Sequence, residues 1–148
     1  MSEHAPTYKA TRSRLSGEKK QNSRDILLHE KARVLVTGAG GFIGSALVHA
    51  LNQRGIEQIV VTDALGEDEK WRNLRPLTFE DYVPADEFLN GIEEASDKFG
   101  RFAAVFHLGA CSSTTVTDSE FVLRNNYAYT KSLCRWALFS GARFVYAS

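Results

Sequence analysis

Three glycines, Gly38, Gly41 and Gly44, recur at every third position between a short β-branched run, Arg33-Val34-Leu35-Val36-Thr37, and an apolar stretch that opens at Phe42-Ile43. Glycines at this spacing, between a strand and a helix, are suited to holding a diphosphate. The first permits a tight turn, the second lets the backbone approach the phosphates, and the third removes a side chain where helix meets strand. The helix that follows turns unpaired N–H groups and the positive end of its dipole towards the anion. A second buried run, Ile59-Val60-Val61-Thr62, ends on Asp63, nineteen residues beyond Gly44, where a carboxylate can accept hydrogen bonds from ribose hydroxyls. Strand, glycine loop, helix and acid together read as a dinucleotide site rather than a structural turn.

Other reactive side chains carry plainer readings. His107 closes the apolar run Ala103-Ala104-Val105-Phe106 and reads as a packed histidine beside the ligand rather than a proton carrier. Cys111 sits next to Ser112 and Ser113 with no His or Asp at nucleophile spacing, so loop packing accounts for it. Tyr127 and Lys131 lie one helical turn apart, a spacing that lets a lysine activate a tyrosine, but they fall on the helix before the last strand. Glu67-Asp68-Glu69 reads as a solvated loop, the acids from Glu80 to Asp97 as an exposed helix and its flanks, and no metal site follows.

Positioning these groups requires an α/β, doubly wound parallel sheet of the Rossmann type. Strands are expected near residues 33–37, 58–62, 80–83, 103–107 and 143–147, in the order 3-2-1-4-5. Ile43, Leu47, Ala50 and Leu51 mark the core stripe of the first helix. Phe121, Tyr127, Leu133, Ala137 and Leu138 mark that of a long helix from Glu120 to Ser140, ended by Gly141. The second stripe suits a core face and a face for a second copy of the chain equally well. The last strand, Arg143 to Ala147, reads as one buried in mid-sheet.

The chain has 148 residues, 43% apolar and 24% charged, enough for one packed domain and unlike a disordered or disulfide-framed protein. Eighteen basic and eighteen acidic residues balance, which argues against nucleic acid as a partner. Two distant cysteines, no apolar run of membrane length and no signal-like segment point to a cytoplasmic setting without a membrane partner. Residues 1–31 hold seven Lys or Arg against four Asp or Glu and read as a disordered basic extension, leaving 32–148 as the dinucleotide-binding domain.

The segments Gly38 to Gly44, Phe106-His107-Leu108-Gly109-Ala110-Cys111-Ser112-Ser113-Thr114-Thr115, Asn125-Asn126-Tyr127 and Phe144-Val145-Tyr146-Ala147-Ser148 resemble the ADP-glycero-manno-heptose 6-epimerases of the extended short-chain dehydrogenase/reductase superfamily. The resemblance runs from about Val34 to Ser148. It implies NADP as cofactor, with NAD as the alternative, held by Phe42, Ile43, Asp63, Ala64, Lys70, the stretch Leu108 to Ser112, and Asn125. It also implies a nucleotide-sugar substrate, ADP-heptose, possible homo-oligomers, and catalytic groups and a substrate domain beyond Ser148, so that this stretch alone is expected to be inactive. Ala64 and Leu108 depart from the family's usual Asn and Glu, which leaves the cofactor preference open. Another nucleotide-sugar epimerase, dehydratase or reductase, or a non-catalytic NAD(P)-binding module, would carry the same glycine loop.

Overall fold

The computed structural model describes residues 28–67, 69–95, 97–110 and 117–147. Five strands, β1 (Val34–Thr37), β2 (Ile59–Asp63), β3 (Asp81–Pro84), β4 (Ala104–His107) and β5 (Arg143–Tyr146), pair in parallel in the order β3-β2-β1-β4-β5. Order and strand positions agree with the sequence reading to within a residue. The connections are α1 (Phe42–Asn52), a 3₁₀ turn (Glu69–Asn73), α2 (Ala85–Glu94), and a run made of α3 (Ser119–Val122), a π-helical stretch (Leu123–Ala128) and α4 (Tyr129–Ser140).

The central strands are apolar on both faces because both faces are covered. Leu35, Val60 and Val105 pack with Phe88, Ile92, Leu133 and Trp136 of α2 and α4. Val34, Val36, Ile59 and Val61 pack on the other side with Val48 and Leu51 of α1 and with Ile56. Phe88 is the largest fully buried side chain; it stacks on Phe99 at 4.5 Å and meets the edge of Trp136 at 5.5 Å. The chain runs outward through β2 and β3, then returns to β4 on the other side of β1. The helices that follow β1 and β4 therefore lie on opposite faces, while the turns after these two strands meet at the sheet's C-terminal edge.

Three expectations are corrected. Leu28 lies against the α1-side core, and the Ala32 N–H closes a turn on the His29 carbonyl at 2.8 Å, so residues 28–31, read as part of the extension, belong to the fold. Residues 1–27 lie outside the described set. The buried face of α1 is Gly44, Val48 and Leu51, with Ile43 and Ala50 exposed, because helix contact with the β1 turn is made through glycine rather than isoleucine. Along the last helical run Leu133 and Ala137 are buried as expected, but Phe121, Tyr127 and Leu138 are exposed and Tyr129 and Trp136 take their places. The wide π turn rotates everything after it relative to a regular helix, which no 3.6-residue period anticipates. Among the described residues β5 pairs only with β4, and Val145 and Tyr146 are exposed.

Candidate functional site

A cleft of about 500 Å³ opens at the C-terminal edge of the sheet, where the chain's direction of winding reverses. Of the residues singled out in the sequence, it is lined by Gly38, Gly41, Asp63, Ala64, Lys70, Leu108, Gly109, Ala110 and Asn125. Phe42 and Ile43 instead project outward from the first turn of α1, 87% and 64% exposed, and do not line it. Gly44 is buried behind the loop. Cys111 and Ser112 lie outside the described residues.

The glycine loop is built by backbone contact. Gly38 has φ +67°, a left-handed conformation that favours glycine, and its N–H donates to the Thr62 carbonyl at 2.8 Å. A Cβ on Gly38 would lie 2.6 Å from the Cα of Gly109, so the turns after β1 and β4 touch main chain to main chain. A Cβ on Gly44 would lie 2.0 Å from the Gly38 oxygen, whereas one on Gly41 would meet only that oxygen, at 3.2 Å. Gly41 faces the cleft at the N-terminus of α1, and no side chain caps that terminus. First-turn amides are thereby left for an external anion.

Around the acid, the sequence signal was incomplete. Asp63 Oδ2 accepts the Gly40 N–H at 2.8 Å, and the Gly40 carbonyl accepts from Asn73 Nδ2 at 2.8 Å, so Gly40 is clamped from both sides. Lys70 Nζ sits 3.7 Å from Asp63 Oδ1 and donates to the Ala64 carbonyl at 2.8 Å. Arg72 pairs with Glu69 at 2.8 Å, and both Arg72 and Arg75 lie over the Trp71 ring; neither lines the cleft. Of the three cations in this stretch, Lys70 is thus the one brought to Asp63.

The buried polar residues among those described, Thr62, Thr37 and His107, occupy one row across the ends of β2, β1 and β4. His107 Nδ1 is 2.7 Å from Thr37 Oγ1 and Nε2 is 2.7 Å from Thr130 Oγ1. Burial pulls its pKa down to about 4, so it is neutral near pH 7. Unfolding restores a value near 6.5, so between those limits the unfolded state binds a proton that the folded state refuses. Stability should therefore fall as pH drops from about 6.5 towards 4, by about 3 kcal/mol from this group. Urea titrations across that range should show the loss, and His107→Gln should remove this part of the slope; an unchanged slope would contradict the buried neutral ring.

Two further groups at the cleft make the site more than a turn. The Thr62 hydroxyl and the Tyr129 phenol are buried, line the cleft and have no hydrogen-bond partner. Burial pushes the phenol up to about 12, partly offset by the nearby Thr62 hydroxyl, yet the two oxygens do not meet in hydrogen-bond geometry. Orphaned buried oxygens are costly unless a ligand or water meets them. Uncapped helix amides, a glycine beside open space, a carboxylate and these two hydroxyls make a donor set that fits a dinucleotide.

Sequence reasoning missed Gly40, Asn73, Thr37, Thr62, Ala85 and Tyr129 as site residues, and placed Phe121 in a core stripe although it lines the cleft. The doubled glycine, Gly40-Gly41, was a legible signal for the clamp; nothing in the periodicity marked Tyr129. Tyr127 and Lys131 stay outside the cleft, the ammonium lying 5.5 Å above the tyrosine ring. Among the described residues no cluster of His, Cys, Asp or Glu could hold a metal ion, and no helix is long and apolar enough to cross a membrane.

Known proteins place this architecture. An ADP-L-glycero-D-manno-heptose-6-epimerase of Nitratidesulfovibrio vulgaris is 46% identical over 114 residues, covering 77% of this chain and 35% of that protein. One from Alkalilimnicola ehrlichii is 45% identical over 115 residues, with coverage of 78% and 36%. This chain thus spans about a third of the length of the curated relatives it matches. The crystal structure of the Helicobacter pylori ADP-L-glycero-D-manno-heptose-6-epimerase superposes with a TM-score of 0.67 at 26% identity, over 80% of this chain and 39% of that one. The model of the NAD dependent epimerase/dehydratase family matches residues 34–148, every strand and helix described above. The chain therefore belongs to the NAD dependent epimerase/dehydratase family.

Proposed function

We propose that this chain is the NADP-binding part of an ADP-glycero-manno-heptose 6-epimerase. The observation that carries the reading is the 45–46% identity to proteins of that name, spread across the whole domain that bears the cleft. Bound NADP would supply a reversible hydride acceptor for the heptose C6, inverting that centre by oxidation and reduction. The chain's own residues bind and orient. Gly41 and the amide end of α1 receive the diphosphate, Asp63 the adenosine ribose, and Leu108 and Phe121 supply apolar wall that keeps water from the cleft. His107, neutral and enclosed, moves no proton.

NADP rather than NAD is favoured by Lys70. A lone Asp63 would repel a ribose 2′-phosphate, but the ammonium 3.7 Å away offsets that charge and can reach a phosphate by a rotamer change. Calorimetric titration should give tighter binding of NADP than of NAD. Lys70→Ala should weaken NADP by about tenfold and NAD by much less. Equal or tighter NAD binding would overturn the preference. The substrate reading is tested separately, by an epimer-resolving chromatographic assay on ADP-heptose with the complete gene product; absence of epimerisation under saturating cofactor would count against it.

A further inference from the structure

We propose that His107 and Thr130 are positioning residues, which through one directional chain of hydrogen bonds from Gly109 to the Asn126 carbonyl hold Gly109 and the neighbouring Asn125 at their places in the cleft. At one end the Gly109 N–H donates to Thr37 Oγ1 at 3.1 Å, and Thr37 Oγ1 lies 2.7 Å from His107 Nδ1. At the other, His107 Nε2 lies 2.7 Å from Thr130 Oγ1, whose hydroxyl donates to the Asn126 carbonyl at 2.5 Å. Separately, the Asn126 side chain accepts at Oδ1 from Asn125 Nδ2 at 3.0 Å. Both Gly109 and Asn125 line the cleft; His107 and Thr130 do not.

The direction of every proton follows from the two ends. A carbonyl only accepts, so the Thr130 proton is committed to Asn126 and Thr130 Oγ1 must accept from His107. The ring is therefore protonated on Nε2. A neutral imidazole has no second proton, so Nδ1 accepts from the Thr37 hydroxyl, and the Thr37 lone pairs receive the Gly109 N–H. The ring is also gripped sideways, with Tyr129 edge-on at 5.4 Å and Phe144 nearly parallel at 6.0 Å.

The chain bears on the π-helical stretch. There the Tyr129 N–H reaches back to the Arg124 carbonyl, a wide turn that a regular helix would close, and the Thr130 hydroxyl fastens the Asn126 carbonyl within it. Asn125 is on that turn. Without the Thr130 bond the turn is free to relax to regular helix, which would change where Asn125 sits in the cleft wall.

Two readouts test this, and only the second depends on the cofactor reading above. In the ¹⁵N-labelled full chain without ligand, ring nitrogen–proton correlations at pH 7 should show His107 protonated on Nε2 alone; the Nδ1–H tautomer or an imidazolium would overturn the chain. In NADPH fluorescence titrations, Thr130→Val, which keeps the shape and removes both hydrogen bonds, should weaken binding by about tenfold, and Thr130→Ser should restore it to within about twofold. Because Thr130 acts through Asn125, adding Asn125→Ala to Thr130→Val should cost no more than Asn125→Ala alone. Additive losses, or failure of serine to rescue, would show a merely structural threonine. Wild-type protein that binds no NADPH would defeat the cofactor reading while the ring-nitrogen result still decides the chain.

Discussion

Gly44→Ala is expected to strip the domain of a large share of its folding stability. The methyl carbon would stand 2.0 Å from the Gly38 carbonyl oxygen and within 2.8 Å of the Ala39 Cα, all of it main chain, so no rotamer change can make room. Either α1 withdraws from the β1 turn or the turn leaves Thr62 and Gly109. Each alternative opens the packing of Val48 and Leu51 against β1 and β2. Overpacking against fixed backbone lies at the upper end of single-substitution costs, about 3–5 kcal/mol, a large share of the 5–15 kcal/mol that domains typically possess. Urea denaturation monitored by circular dichroism should show a midpoint shifted far down or no native baseline. A wild-type midpoint would mean that α1 is not seated on Gly38.

Gly41→Val should do the reverse and leave the fold while removing the ligand. Gly41 has φ −73° and ψ 170°, extended backbone that valine adopts readily, and its Cβ would meet only the Gly38 oxygen at 3.2 Å. A branched side chain there fills cleft volume instead of core volume. Affinity for NADP should fall by at least about a hundredfold with far-ultraviolet circular dichroism unchanged. Retained binding would place the diphosphate elsewhere. Two glycines three residues apart thus separate stability from binding.

How much of this was legible in the sequence follows from how local each signal is. Val34 to Thr37, Ile59 to Asp63 and Ala104 to His107 are strands covered on both faces, and such short, nearly continuous apolar runs declare themselves in the sequence. Their order follows from right-handed crossovers and a glycine loop that must sit at the reversal point. Helix phase was harder. In α1 the contact is made by a glycine, so the apolar stripe pointed to Ile43 when Gly44 was the buried position. Past Val122, Leu133 and Ala137 stayed in the buried set but Tyr129 and Trp136 joined them in place of Phe121, Tyr127 and Leu138, and the π turn between is fastened by a threonine hydroxyl bonded to a histidine on β4. The clamp of Asn73 on Gly40 likewise joins residues 33 positions apart, and no spacing rule links them.

The contact between Gly38 and Gly109 also bears on the speed of binding. Side-chain gates open by rotamer hops, but here two stretches of main chain rest on each other, and the Gly38 N–H is tied to Thr62 and the Gly109 N–H to Thr37. Neither segment can swing without breaking a sheet-end hydrogen bond, so this wall of the cleft stands ready-shaped before any ligand arrives. Little ordering entropy is then left to be lost on capture at this end, and the encounter needs no slow rearrangement of the wall, so selectivity among dinucleotides has to reside in how long each one stays.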